Sequence, residues 1–182
     1  MVFPVHTALD TGSVAVLIMY SSFWMLRLHY NEMGSIMIAL ACDHGGYALM
    51  KEVKSYLDSL GYDYSDFGAF SEESCDYPDI AVGASRAIAG GECTRGIFIC
   101  GTGIGMEIVA NKIGGIRAAL CSDCYSAEMA RRHNDANVLT LGERVVGAGL
   151  ALKIVEVFLN TEFDGGRHGL RVDMIKALDE NR

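Results

Sequence analysis

Two short stretches of this chain, Ile36–Ala41 (IMIALA) and Gly96–Cys100 (GIFIC), carry no polar side chain between flanking polar and glycine residues. Runs of five or six apolar residues are too short for helices and read as strands. A strand apolar throughout must be covered on both faces, which is the signature of a parallel sheet rather than a half-solvated antiparallel one. The intervening segments agree. Tyr47–Leu60 places Leu49, Val53, Tyr56, Leu57 and Leu60 on one helical face, with Gly61 as its stop. Tyr62–Phe67 is a second strand, Asp79–Ala89 an Ala-rich helix ending at Gly90-Gly91, and Gly105–Asn111 a short helix. Ile116–Cys121 and Val138–Leu141 complete five strands, and Ser126–His133, Val146–Leu159 and Arg167–Glu180 complete the helices. Asp76-Tyr77-Pro78 reads as a loop. Alternation of this kind predicts an α/β domain.

Residues 1–35 do not fit that pattern. Thr11 to Leu26 is a run of sixteen uncharged residues, short of the roughly 20 that span a bilayer. No Lys or Arg precedes it, as a secretory signal requires. The expectation is that residues 1–35 are an upstream translated extension outside the fold, with Met33 or Met37 as the natural start. The rival reading is a hydrophobic anchor or a docked helix. Residues 36–182 form the domain.

A net charge of −8 removes general nucleic-acid binding, which needs a basic face. The six cysteines are scattered through a chain with ample core and read as reduced thiols of a cytoplasmic protein. Cys121-x-x-Cys124 stands without a second such pair and reads as two thiols at a strand end rather than a metal site.

Ligands of parallel sheets bind beyond the C-terminal ends of the strands. Those positions hold Cys42-Asp43-His44-Gly45-Gly46, Cys100-Gly101-Thr102-Gly103-Ile104-Gly105, Ser122-Asp123 and Gly142-Glu143-Arg144. The second is the strongest. Its glycines let backbone approach a ligand, and the helix start after it presents free N–H groups to an anion. The spacing is G-x-G-x-G after the third strand, which is not the dinucleotide fingerprint. A thiol at a helix start is poised to act as thiolate, although a cysteine ending a buried strand is also an ordinary apolar side chain. His133 lies in a densely polar string, Arg131 to Asn137, where it either moves protons or caps its helix. Arg167 and Arg171, four apart, share one helical face, and with Arg144 they form a candidate anion clamp.

Taken in order, CDHGG, DYPD, ICGTGIG, ANK, GIRAA, HNDANVL and GGRH followed by Arg171 resemble the ribose/galactose isomerase family, of which ribose-5-phosphate isomerase B is a member. The resemblance spans residues 36–182 and excludes 1–35. It implies a Rossmann-like three-layer α/β/α sandwich with a five-stranded parallel sheet. It also implies aldose–ketose isomerisation of a sugar phosphate without metal or organic cofactor, in a homodimer or tetramer with shared active sites. By motif match, Cys100 would be the base between C1 and C2, His133 would open the sugar ring, and Thr102 would assist or orient. One branch of the family places a glutamate where Met106 stands here; Glu107 is one residue out of phase, so this chain falls in the cysteine branch. Asp43, Tyr77 and Asn134 would bind the sugar, and Gly101, Gly103, Ile104 and Gly105 would supply backbone contacts. His44, Arg144, Arg167 and Arg171 would hold the phosphate. His133, Asn134 and Arg144 are expected from the partner subunit. The alternatives are a galactose- or allose-6-phosphate isomerase, or a sugar-phosphate-binding protein without catalysis.

Overall fold

The computed structural model describes residues 36–179; the reading of residues 1–35 as an extension, and Glu180 as the end of the last helix, lie outside the described residues. Five parallel strands, β1 (Met37–Cys42), β2 (Asp63–Asp66), β3 (Arg95–Cys100), β4 (Ala118–Leu120) and β5 (Val138–Gly142), lie in the order β2-β1-β3-β5-β4. The helices are α1 (Tyr47–Leu60), α2 (Tyr77–Ala89), α3 (Ile104–Ala110), α4 (Cys124–Asn134), α5 (Ala148–Asn160) and α6 (Arg167–Asp179). None among the described residues is long and apolar enough to cross a membrane.

Strand alternation sorts the core into two layers. Ile38, Leu40, Ile97, Ile99, Leu139 and Leu141 meet α1, α4 and α5 on one face. Ala39, Ala41, Phe98 and Cys100 meet α2 and α3 on the other. The alanines of β1 face Ala81, Ala84 and Ala87 of α2, so small side chains on both sides let that helix lie close to the sheet. The predicted three-layer sandwich is therefore the observed one.

Helix starts depart from the sequence reading where a cap decides them. α2 begins at Tyr77, because Pro78 is suited to the first turn, where no N–H partner exists. α4 begins at Cys124, because Asp123 accepts the Ser126 N–H at 2.8 Å. β4 is three residues rather than six. Its outer edge is closed by side chains: Asn111 bonds both the N–H and the C=O of Ala118, and Glu107 accepts the Leu120 N–H at 3.0 Å. A capped edge does not template further strand pairing.

The α4–β5 corner depends on a buried cation. Arg131 is 1% exposed and donates to the carbonyls of Ala136 (2.6 Å) and Thr161 (3.2 Å). It also pairs with Asp135 at 2.9 Å, while Arg117 takes the other carboxylate oxygen at 2.8 Å. Asp135 itself sits at φ +47°, a left-handed conformation that costs a residue with a Cβ. Arg131→Ala empties this space and strands two carbonyls, so it should lower unfolding free energy by about 3 kcal/mol. Urea titration reads this directly; a loss below about 0.5 kcal/mol, the range of an indifferent surface change, would contradict it.

Candidate active site

β1 and β3 are neighbours, but the chain leaves them toward opposite faces, to α1 and to α3. The crevice between their exits is where an open α/β sheet binds ligand. The Asp43 N–H donates to the Ile99 carbonyl at 3.2 Å, extending the β1–β3 ladder, and a Cβ at Gly45 would lie 3.3 Å from the Gly101 nitrogen, so the two exit loops touch. Asp43 is buried, and its carboxylate accepts the Gly45 N–H at 2.9 Å. His44 is half-buried, and its Nδ1 accepts the Cys75 N–H at 3.3 Å. That bond puts the proton of the neutral ring on Nε2, away from Cys75. Cys75 Sγ lies 4.0 Å from the same nitrogen.

Cys100 ends β3 and is 6% exposed. Its Sγ accepts the Gly103 N–H at 3.0 Å, a contact a sulfur anion accepts more strongly than a thiol does. The geometry requires Gly103: φ is +81°, and a Cβ would come within 2.9 Å of the Leu141 backbone. The Gly103 amide is thereby engaged at the sulfur. First-turn amides of α3, those of Ile104 and Gly105, have no partner within the helix. Tyr77 closes on this turn from the start of α2; a Cβ at Gly105 would meet its ring at 2.8 Å. Thr102 is exposed at the rim. Met106 is fully buried beneath, and Glu107 is bound to β4, so neither reaches the crevice as a base.

Burial silences two other thiols. Desolvation pushes Cys42 up to about 12, and Cys121 likewise to about 12. Both therefore stay protonated well above neutral pH. Peptide mapping after iodoacetamide at pH 8 should find Cys100 modified and Cys42 and Cys121 intact. Sugar phosphate should protect Cys100. Modification of Cys42 ahead of Cys100 would contradict this.

Arg144, expected above from the partner subunit, also meets the glycine turn of its own chain. Its own chain holds it in the crevice: the Arg144 N–H bonds to the Gly101 carbonyl at 3.1 Å, and its Cζ lies 3.5 Å from where a Cβ of Gly101 would stand. The cause is strand order. β5 pairs with β3, so the loop after β5 meets the loop after β3. Glu143, not anticipated from sequence, accepts the Leu49 N–H at 2.8 Å. It sets a carboxylate against the positive end of α1.

His133, Asn134, Arg167 and Arg171 lie elsewhere. α4 runs back against the strands and ends beside their N-terminal edge, where the Gly96 N–H bonds to Asn137. Cys100 is four residues further along β3, roughly 13 Å away at strand rise. α6 starts beside the end of α4: the Asp164 N–H bonds to the Arg132 carbonyl, and His168 stacks on His133 with centroids 4.2 Å apart and planes 1° from parallel. His168 followed Arg167 in the matched string and carried no assigned role. The structure thus forms two clusters at opposite edges of the sheet and does not bring them together within one chain.

His133, Asp164 and His168 each offer a ligand atom within 4.8 Å of the others. Their arrangement does not suit an ion. Nitrogen lone pairs lie in the ring planes, and parallel stacked rings direct them along separate planes rather than to one point. Arg132 Nε meanwhile takes both Asp164 oxygens, at 3.1 and 3.2 Å, and that bonding holds the Asp164 carboxyl below its usual range.

Residues 38–175 match the Ribose/Galactose Isomerase family. Ribose-5-phosphate isomerase B of Escherichia coli (strain K12) is 48% identical over 145 residues, covering 80% of this chain and 97% of that protein. The solved structure of Clostridium thermocellum ribose-5-phosphate isomerase B is 51% identical with a TM-score of 0.79, covering 80% of this chain and 99% of that one. The Mycoplasma genitalium ribose-5-phosphate isomerase B, solved with bound ribulose-5-phosphate, is 37% identical with a TM-score of 0.77, covering 81% and 99%. The chain belongs to the ribose/galactose isomerase family.

Proposed function

We propose that this protein interconverts ribose 5-phosphate and ribulose 5-phosphate, with Cys100 as the base. One observation carries the reading: a cysteine sulfur held by a glycine-turn amide at the exit of β3, with Arg144 against Gly101 and Gly45 of the β1 exit loop against the same turn. His133 gives a proton to the ring oxygen as the C1–O bond breaks, and the anomeric O–H proton leaves by way of Thr102. The Cys100 thiolate then takes the C2 proton. The C–H electron pair becomes the C1–C2 double bond, and the aldehyde π pair moves to O1. The amides of Ile104 and Gly105 face that charge. The O2 proton passes to O1, the thiol returns its proton to C1, and O2 becomes the ketone. Asp43, Tyr77 and Asn134 hold the sugar, while His44, Arg144, Arg167 and Arg171 hold the phosphate. Proton transfer of this kind needs no metal and no organic cofactor.

Because the two clusters occupy opposite sheet edges, the working unit is a homodimer in which each site draws on both chains. Exposed apolar side chains support this contact. Leu170, Met174 and Leu178 are 64–71% exposed at successive fourth positions of α6, and Ile104 and Ile108 of α3 are about half exposed. α6 starts in the His133 cluster, and α3 starts in the Cys100 cluster. A two-fold contact of α6 on the second copy's α3 would complete two sites at once. Six free thiols fit a reducing cytoplasm.

Product analysis tests the reading. Ribose 5-phosphate incubated with the protein should yield ribulose 5-phosphate. No ketose from it, or a higher kcat/KM with allose 6-phosphate or galactose 6-phosphate, would contradict the five-carbon assignment.

A further inference from the structure

We propose that His168 is a positioning residue for sugar-ring opening: its imidazole, lying flat on His133, fixes the direction in which His133 presents its proton-donating edge. This rests on the function proposed above. His133 is a half-buried side chain at the last turn of α4, where several staggered rotamers are open to it. The stack, 4.2 Å between centroids and 1° from parallel, selects one of them.

The start of α6 is itself tied down. Arg132 holds Asp164 through Nε, the Asp164 N–H bonds back to the Arg132 carbonyl, and Arg132 Nη1 is anchored on Glu128 at 3.1 Å. Gly165 and Gly166, both at positive φ, then turn the chain so that His168 lies over His133. His168 is not itself placed to move the proton. The Arg167 Nε–H donates to its Nε2 at 3.4 Å, which occupies that nitrogen as an acceptor. Desolvation, then the nearby His133, Arg167 and Arg171, push the His168 imidazole below its ordinary value, while Asp164 opposes them.

Ring opening has a kinetic signature of its own. Ribose 5-phosphate is mostly a furanose in water. Ribulose 5-phosphate has no furanose form, because its fifth oxygen carries the phosphate. An enzyme that opens the ring converts ribose 5-phosphate in proportion to enzyme added. One that has lost this step depends on spontaneous opening, so its rate levels off as enzyme is raised.

For His168→Ala, the rate from ribose 5-phosphate should level off with rising enzyme, while the rate from ribulose 5-phosphate stays proportional. Turnover of ribose 5-phosphate at low enzyme should fall on the order of tenfold, as for a displaced catalytic group. His168→Phe keeps a flat ring on His133 and should restore proportionality. Equal losses in both directions with strict proportionality, or no loss, would overturn the proposal. Failure of His168→Phe together with His168→Ala would assign the effect to the Arg167 hydrogen bond and likewise overturn the stacking role. His133→Ala separates the two levels. It must itself level off; if it does not, the ring-opening role of His133 fails, and this proposal with it. Levelling of His133→Ala alone would overturn only the role of His168.

Discussion

Cys100→Ala should reduce turnover of ribose 5-phosphate by about a thousandfold, the usual worth of a positioned acid–base group. Binding of the sugar phosphate should remain measurable by calorimetry. The reasons are local. The side chain is small and ends a strand, so its loss leaves β3 paired with β1 and β5. The groups assigned to the phosphate, including Arg144 beside Gly101, stay in place. What disappears is the atom that the Gly103 amide is aimed at. No neighbour substitutes for it: Met106 has no titratable group and is buried, and the Glu107 carboxylate accepts the Leu120 N–H. Cys100→Ser, which keeps the shape but offers a far weaker acid, should be nearly as slow. Turnover within threefold of wild type in Cys100→Ala would remove the sulfur from the mechanism, whatever becomes of the fold.

The sequence made much of this visible, for physical reasons that differ by element. β1 and β3 were legible because burial on both faces leaves them no polar position after Arg95, the first residue of β3. The glycine turn was legible because a left-handed residue and a close backbone approach both demand glycine. The true starts of α2 and α4 were not, because Pro78 and Asp123 act through cap geometry that apolar periodicity ignores. β4 was overread: Ile116 and Cys121 flank the run as further apolar residues, but Asn111 and Glu107 close the ladder around three residues only. The contact of Arg144 with its own glycine turn was not legible, because local pattern does not encode strand order, and only the pairing of β5 with β3 brings their exits together. Glu143 stood at a strand exit and His168 in the matched string, but neither position showed its role. The first acts on an amide 94 positions away, and the second through a ring 35 positions earlier in the chain.

The separation of Cys100 from His133 leads to the second large effect. Each of Cys100→Ala and His133→Ala, prepared alone, should be nearly inactive with ribose 5-phosphate. In a symmetric dimer with shared sites, a mixed dimer of the two variants has one site lacking both groups and one site intact. If subunits reassort at random from an equal mixture, half the dimers are mixed and half of their sites work. Activity should therefore return from almost nothing to about a quarter of wild type. The same variants test the apolar contact: Leu170→Asp or Met174→Asp, placing a charge on the exposed face of α6, should break the dimer and abolish the recovery.

The mixing experiment is the most direct measurement of the account as a whole. The two inactive variants are unfolded together in denaturant, refolded as an equal mixture, and assayed beside each variant refolded alone. Recovery to about a quarter of wild-type activity, in a species of dimer mass, is the result expected for sites completed by a second copy. A mixture that stays as inactive as its components, while refolded wild type regains full rate, would mean that each site is complete within one chain and would contradict the division of chemistry described above.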